Sequence, residues 1–448
     1  MSNRKSKLLR WLLYFLGGLI VLVAILILLY KDEAISQISV GSGFVAKKAC
    51  TYHFMAGRDL DEISSTEFNI SPLNLISTKV SGEDRVTASI FGLGTNTAVY
   101  KKNLGCVLIH GVDDYNIELS RSSTSLTEST PLPVSKSMSP SDPNLKEAVR
   151  LAMDKDGEWL KQTTGLMVIH KDSIVLEGYA AGYNSETEIL GWSMTKSISA
   201  LLIGTLIRDR KLSLEQDNLF PEWAADERQN IRLKHLLNMT SGLEWTEEYE
   251  EVCDVTQGLF KEENFLSFVR GKKSESKPGT VWEYSSGTTN LISGIIRQEL
   301  DGLSSYLSYP NKALFTKLGI ADAHIEIDEA GNMIMSSFGY AKMRDWAKLG
   351  MLYMHKGHWN GEQLIDSSFI DYCISPTVES DYGGQIWLNT SQSEYPSAPS
   401  NMYYFSGYDG QYVFMFPSQD LMILRTGVQK EAPFDMDAVI AQVLKSIN

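Results

Sequence analysis

The chain has 448 residues, 43% hydrophobic and 10% aromatic, enough for one large or two ordinary domains with a packed core. That excludes a disordered chain, and a formal net charge of -14 argues against nucleic acid and against electrostatic docking on anionic lipid. No phosphate-binding glycine loop occurs.

Trp11 to Tyr30 is a continuous apolar run of about the length that spans a hydrocarbon core. Arg4, Lys5, Lys7 and Arg10 precede it, whereas Lys31, Asp32 and Glu33 follow, so the positive-inside rule puts the N-terminus in the cytoplasm. Residues 1–33 are therefore predicted to be a cytoplasmic tip and a single-pass signal anchor in the cytoplasmic membrane, with the remainder facing the periplasm or cell exterior. A cleaved signal peptide is the competing reading; the length of the run and the lack of a small-residue cleavage site stand against it.

Residues 34–143 read as an N-terminal extension with strand-like runs at Val86 to Ile90 and Cys106 to His110. An oxidising compartment permits a bridge between Cys50 and Cys106, which we predict; for Cys253 and Cys373, pairing and two buried thiols stand level. The extension ends in a Ser-, Thr- and Pro-rich linker, Ser120 to Asp142. Asp142-Pro143 then supplies a cap and a first helical position for a helix carrying Leu145, Ala148, Leu151 and Ala152. Gly165 to His170 and Ser173 to Tyr179 read as two strands joined by a Lys171-Asp172 turn.

This hairpin leads into Gly191-Trp192-Ser193-Met194-Thr195-Lys196-Ser197. Ser193 and Lys196 are three apart and so share one helical face. Ile198, Leu201, Leu202, Ile203, Leu206 and Ile207 recur at helical spacing and predict a largely enclosed helix that ends in solvent at Arg208 to Lys211. Burial disfavours the charged amine, and a neutral lysine beside a serine hydroxyl can serve as its base.

The stretch Gly191 to Trp245, with Lys211-Leu212-Ser213-Leu214, Phe220-Pro221-Glu222-Trp223 and Ile231 to Leu243 in matched order, resembles the β-lactamase-related serine hydrolases. Within them it resembles the class C-like group that includes 6-aminohexanoate-dimer hydrolases and family VIII carboxylesterases. The resemblance covers roughly residues 144–448. It implies an α/β (α+β) fold: a mostly antiparallel sheet flanked by helices, plus an all-helical lobe at roughly 212–317, with the site at their junction.

Three further constellations take their roles from this resemblance. Tyr284-Ser285-Ser286 resembles the family's second motif; Tyr284 would relay a proton, as a phenolate sustained by Lys196, and Ser286, in place of the commoner asparagine, would orient the lysine more weakly. Trp245-Thr246-Glu247-Glu248-Tyr249 looks like a substrate-pocket loop in which Tyr249 contacts the bound amide; a surface acidic loop with one aromatic anchor is the equal alternative. Tyr403 to Pro417 resembles the family's edge strand, where the N–H groups of Tyr408 and Ser193 would form an oxyanion hole and small Gly407 and Gly410 would permit close approach to substrate.

That strand lacks the Lys-Thr-Gly of penicillin-binding enzymes, which argues against β-lactam or D-Ala substrates. Phe338 to Tyr353, Met436 to Ile447 and Leu291 to Leu300 read as helices, and Leu421 to Thr426 as a strand. Gly357 to Gly361 reads as a tight turn. His355 and His358 have no third ligand in view and are read as covering a helix end, so no metal and no cofactor is expected. The expected activity is hydrolysis of a small-molecule ester or amide through an acyl-enzyme on Ser193. A D-Ala carboxypeptidase or β-lactamase is one alternative, and a membrane-tethered binding protein without catalysis is the other. The sequence sets no oligomeric state.

Overall fold

The computed structural model describes Tyr14 and residues 32–110, 115–119, 129–135, 142–153, 162–378, 380–428 and 435–447. Apart from Tyr14, the apolar run Trp11 to Tyr30 lies outside these residues, as does most of the Ser/Thr/Pro-rich linker. No described helix is long and apolar enough to cross a membrane.

The N-terminal extension is a layer of its own. Helix α1 (residues 32–54) and helix α2 (Leu60–Glu67) cover a four-stranded antiparallel meander, β1 (Ser77–Ser81), β2 (Arg85–Ile90), β3 (Leu93–Lys101) and β4 (Gly105–Ile109). Val45, Ala49, Ile63, Phe68, Val86, Ala98 and Leu108 fill the space between helices and sheet. Cys50 of α1 is bonded to Cys106 of β4 across a sequence separation of 56.

The second layer begins with α3 (Pro143–Met153), whose first turn is capped by the Asp142 carboxylate, accepting from Asn144 N–H and Leu145 N–H. Strands β5 (Thr163–His170) and β6 (Ser173–Tyr179) follow, joined through Lys171 and Asp172, both at positive φ. Leu166 and Val168 of β5 face α3, while Met167 and Ile169 join the main core, the period-two division of a strand buried on both faces. Short β7 (Glu188–Leu190) leads into α4 (Met194–Arg208), buried from Met194 through Leu206.

A helical lobe comes next: α5 (Leu233–Leu237), α6 (Asp254–Phe260), α7 (Phe265–Arg270), α8 (Ser286–Gln298) and α9 (Gly302–Pro310). Strands β8 (His324–Ile325) and β9 (Gly339–Lys342) pair with β7 in the order β7-β9-β8. Helix α10 (Met343–Met354) therefore starts five residues later than the apolar spacing from Phe338 suggests, because Gly339 to Lys342 satisfy their backbone against β7. The hairpin β10 (His358–Trp359) and β11 (Glu362–Gln363) turns through Asn360 and Gly361, both left-handed. After α11 (Ser367–Cys373) come β12 (Trp387–Leu388), β13 (Tyr403–Gly407), β14 (Gln411–Phe416), β15 (Leu421–Gly427) and α12 (Met436–Ile447).

The six-stranded sheet runs β12-β13-β14-β15-β5-β6 and is antiparallel throughout. Tyr403 to Pro417 is thus a hairpin rather than one edge strand: β13 turns at Tyr408 to Gly410 into β14. Helices α3 and α12 cover one face of the sheet and α10 with α4 the other, so α4 lies between the sheet and the helical lobe.

Candidate active site

Ser193 sits at the first corner of α4. Gly191 before it has no room for a side chain, since a Cβ there would lie 2.2 Å from Trp346, and its N–H donates to Gly339 O at 2.8 Å. Trp192 takes a left-handed φ of 47°, and the chain then enters the helix with Ser193 as N-cap. The Ser193 hydroxyl makes no capping bond. It lies instead 3.0 Å from Lys196 Nζ, one turn on.

Lys196 is 1% exposed, and its amine has two more neighbours at 3.0 Å, Ser286 Oγ and the Ser336 carbonyl. Burial pushes its pKa down from 10.5 to about 8, with the Glu247 carboxylate pulling the other way. Tyr284, on the loop before α8, places its ring 4.7 Å from the same amine, and its hydroxyl faces Ser193. Desolvation, then Glu247, raises the phenol's pKa, while the contacts with Ser193 and Trp387 oppose this. The phenolate expected from sequence is therefore replaced by a neutral phenol, because the phenol is itself buried and the Glu247 carboxylate stands close. Sequence position separates Ser193, Lys196, Tyr284 and Ser286 by up to 93 residues, and the fold brings all four together.

On the sheet side, a Cβ on Gly407 would fall 2.1 Å from Gly191 O, so the end of β13 lies directly against the Gly191-Trp192-Ser193 turn and only glycine fits. Tyr408 follows, 44% exposed; its ring stacks on Tyr249 at 5.1 Å and meets Trp192 edge-on at 5.5 Å. Asp409 and Gly410 turn the chain at positive φ, and buried Arg425 braces that turn by donating to Asp409 O at 3.2 Å and Gly410 O at 2.7 Å. A second aromatic group, Trp282, Tyr382 and Trp387, packs around the Tyr284 ring.

Two participants escaped the sequence reading. Glu247 accepts hydrogen bonds from Ser286 N–H (2.8 Å), Ser286 Oγ–H (2.5 Å), Trp245 Nε1–H (2.5 Å) and Tyr249 O–H (3.3 Å). Its signal is a period of two: Trp245, Glu247 and Tyr249 turn inward while Thr246, Glu248 and Glu250 are exposed. Lys48 of α1 is the other. Its Nζ lies 3.9 Å from Asp409 Oδ2 and 5.8 Å from the Trp192 ring, so the extension reaches the rim of the site. His355 caps α10 and pairs with Asp172 at 2.9 Å; among the described residues no group of three or more His, Cys, Asp or Glu is placed to hold a metal ion. Cys253 and Cys373 are free thiols.

Comparison with known proteins matches residues 160–439 to the beta-lactamase family. The chain is 21% identical over 236 residues to a 6-aminohexanoate-dimer hydrolase of Paenarthrobacter ureafaciens, a match covering 48% of this chain and 57% of that relative. Among solved structures it resembles a family VIII carboxylesterase (TM-score 0.56, 15% identity, 69% of this chain and 98% of that one). It also resembles a penicillin-binding protein homologue from Caulobacter crescentus (TM-score 0.55, 15% identity, 68% and 96%). A candidate 6-aminohexanoate-dimer hydrolase from Bacillus anthracis is similar as well (TM-score 0.55, 20% identity, 68% and 81%).

Proposed function

The chain belongs to the beta-lactamase family, and on that premise we propose that it is a serine hydrolase that opens an ester or amide bond through an acyl-enzyme on Ser193. The observation that carries this is the amine of Lys196 held 3.0 Å from the Ser193 hydroxyl in a buried setting that favours its neutral form. Ser193 attacks the carbonyl and its proton passes to Lys196. The neutral Tyr284 phenol donates toward the leaving group and is reprotonated from the lysine. The N–H groups of Ser193 and Tyr408 hold the oxyanion, and water then releases the acyl group.

The relatives named for amide and ester hydrolysis support that substrate class, and so does β13, Tyr403 to Gly407, which carries no cation to grip a β-lactam or D-Ala carboxylate. The intact serine, lysine and tyrosine support catalysis over a binding-only role. We place the hydrolase after a linker ending near residue 143, tethered by Trp11 to Tyr30 with its site outside the cytoplasm. The flanking charges and a disulfide suited to an oxidising compartment support that topology. The test is Ser193→Ala in the full-length protein: hydrolysis of a short-chain p-nitrophenyl ester and labelling by a fluorophosphonate probe should both vanish, and survival of either would falsify the nucleophile. Stoichiometric labelling by a fluorescent penicillin would redirect the substrate assignment.

A further inference from the structure

A serine hydroxyl has one proton, and here the geometry directs that of Ser286 to Glu247, with Ser286 Oγ donating to Glu247 Oε1 at 2.5 Å and Ser286 N–H donating to Oε2 at 2.8 Å. Glu247 is held in turn by Trp245 Nε1–H and Tyr249 O–H, so all four of these neighbours are donors. With its proton committed, Ser286 faces Lys196 as an acceptor. The Ser336 carbonyl can only accept. A neutral amine has two N–H bonds and one lone pair; with both N–H bonds taken by Ser286 and Ser336, the lone pair is left for its third neighbour, Ser193 Oγ.

We propose that Glu247 is a positioning residue for proton transfer: by holding the Ser286 hydroxyl proton, it orients the neutral Lys196 amine with its lone pair on Ser193. Without the carboxylate, the Ser286 hydroxyl can turn and donate to the amine. An N–H then points at Ser193, an arrangement that cannot take the serine's proton. The inference rests on Ser193 being the nucleophile. The titratable groups facing Lys196 are Glu247, from the loop after α5, and Tyr284, from the loop before α8; Tyr249 faces Glu247. Glu247 favours the charged amine, so removing its charge moves the amine's titration to lower pH.

The experiment measures the rate of Ser193 modification by a fluorophosphonate as a function of pH in the full-length protein. In that step the Oγ–P bond forms, the P–F bond breaks with loss of fluoride, and the hydroxyl proton passes to Lys196. Glu247→Gln should lower the alkaline plateau by about tenfold or more and shift the acid limb below that of the wild type. Glu247→Asp keeps the charge but is too short to reach both Ser286 atoms, so its plateau should fall while its limb stays near the wild-type position. A Glu247→Gln limb that does not move, or a wild-type plateau in either variant, overturns the proposal; if Glu247→Gln does not fold, the Asp variant decides. An unlabelled wild type would instead overturn the nucleophile assignment and this inference with it.

Discussion

Replacing Lys196 with methionine separates what the amine does for chemistry from what it costs in stability. The folded lysine titrates near 8 against an ordinary 10.5, so between those values the unfolded chain holds more protons. Wild-type stability therefore gains from this residue as pH rises through that window, and the full penalty, about 3 kcal/mol, is present below pH 8. Methionine fills a similar volume without the charge. Against the gain stands the buried Ser336 carbonyl, which loses its donor at a cost of roughly 1–2 kcal/mol, whereas Ser286 keeps its bond to Glu247. Lys196→Met should therefore be more stable than wild type at pH 7 by about 1–2 kcal/mol, a rise of roughly 1–2 °C in Tm for a chain of this length. That advantage should shrink and reverse as pH approaches 10.5, while fluorophosphonate labelling falls to background throughout. Thermal melts of both proteins across pH 6–10.5 provide the measurement, and subtracting the two curves cancels every other titrating group. A variant less stable at pH 7, with a difference that does not change with pH, would refute the reasoning about the buried amine.

Three other perturbations follow from the same geometry. Tyr284→Phe keeps the ring stacked on Trp387 and loses only the hydroxyl facing Ser193; kcat should fall by about 10²–10³ with KM nearly constant, which steady-state kinetics on a p-nitrophenyl ester will read. Lys47→Met strips the cation 2.9 Å from fully buried Glu326 and should lower the urea midpoint by an amount corresponding to about 3–5 kcal/mol. Replacing Cys50 and Cys106 together with alanine opens a loop spanning a sequence separation of 56, and chain entropy sets the expected loss at about 4 kcal/mol, measurable by the same titration.

The elements most legible in the sequence were those whose pattern is set locally. The closing helix Met436–Ile447, the Asp142-capped α3 and the Lys171-Asp172 hairpin each carry their own period or turn chemistry, and the structure reproduces them. Where tertiary pairing outweighs local pattern, the reading slipped. Gly339 to Lys342 has apolar spacing compatible with a helix, but its backbone pairs with β7, a partner about 150 residues earlier. The serine, lysine and tyrosine of the site were visible because their motifs match known relatives. Glu247 was not, since two adjacent glutamates look alike until the chain's direction decides which one turns inward. Nor could composition foretell that α1 would lie against the hydrolase, because that docking joins segments hundreds of positions apart.

That docking bears on where the protein can be cut. Glu326 follows β8 with no exposure, receiving Lys47 Nζ at 2.9 Å, Thr51 Oγ1–H at 3.0 Å and Cys106 N–H at 2.7 Å, all from the layer that precedes the family match. Gly43 and Phe44 press on Phe260 of the helical lobe in the same seam. A recombinant piece trimmed to the recognisable hydrolase would uncover a carboxylate shaped for a lost counter-charge and an apolar scar beside Phe338. The cooperative unit thus begins at or before α1, and any transplant of this hydrolase into another scaffold must carry its cross-linked collar along.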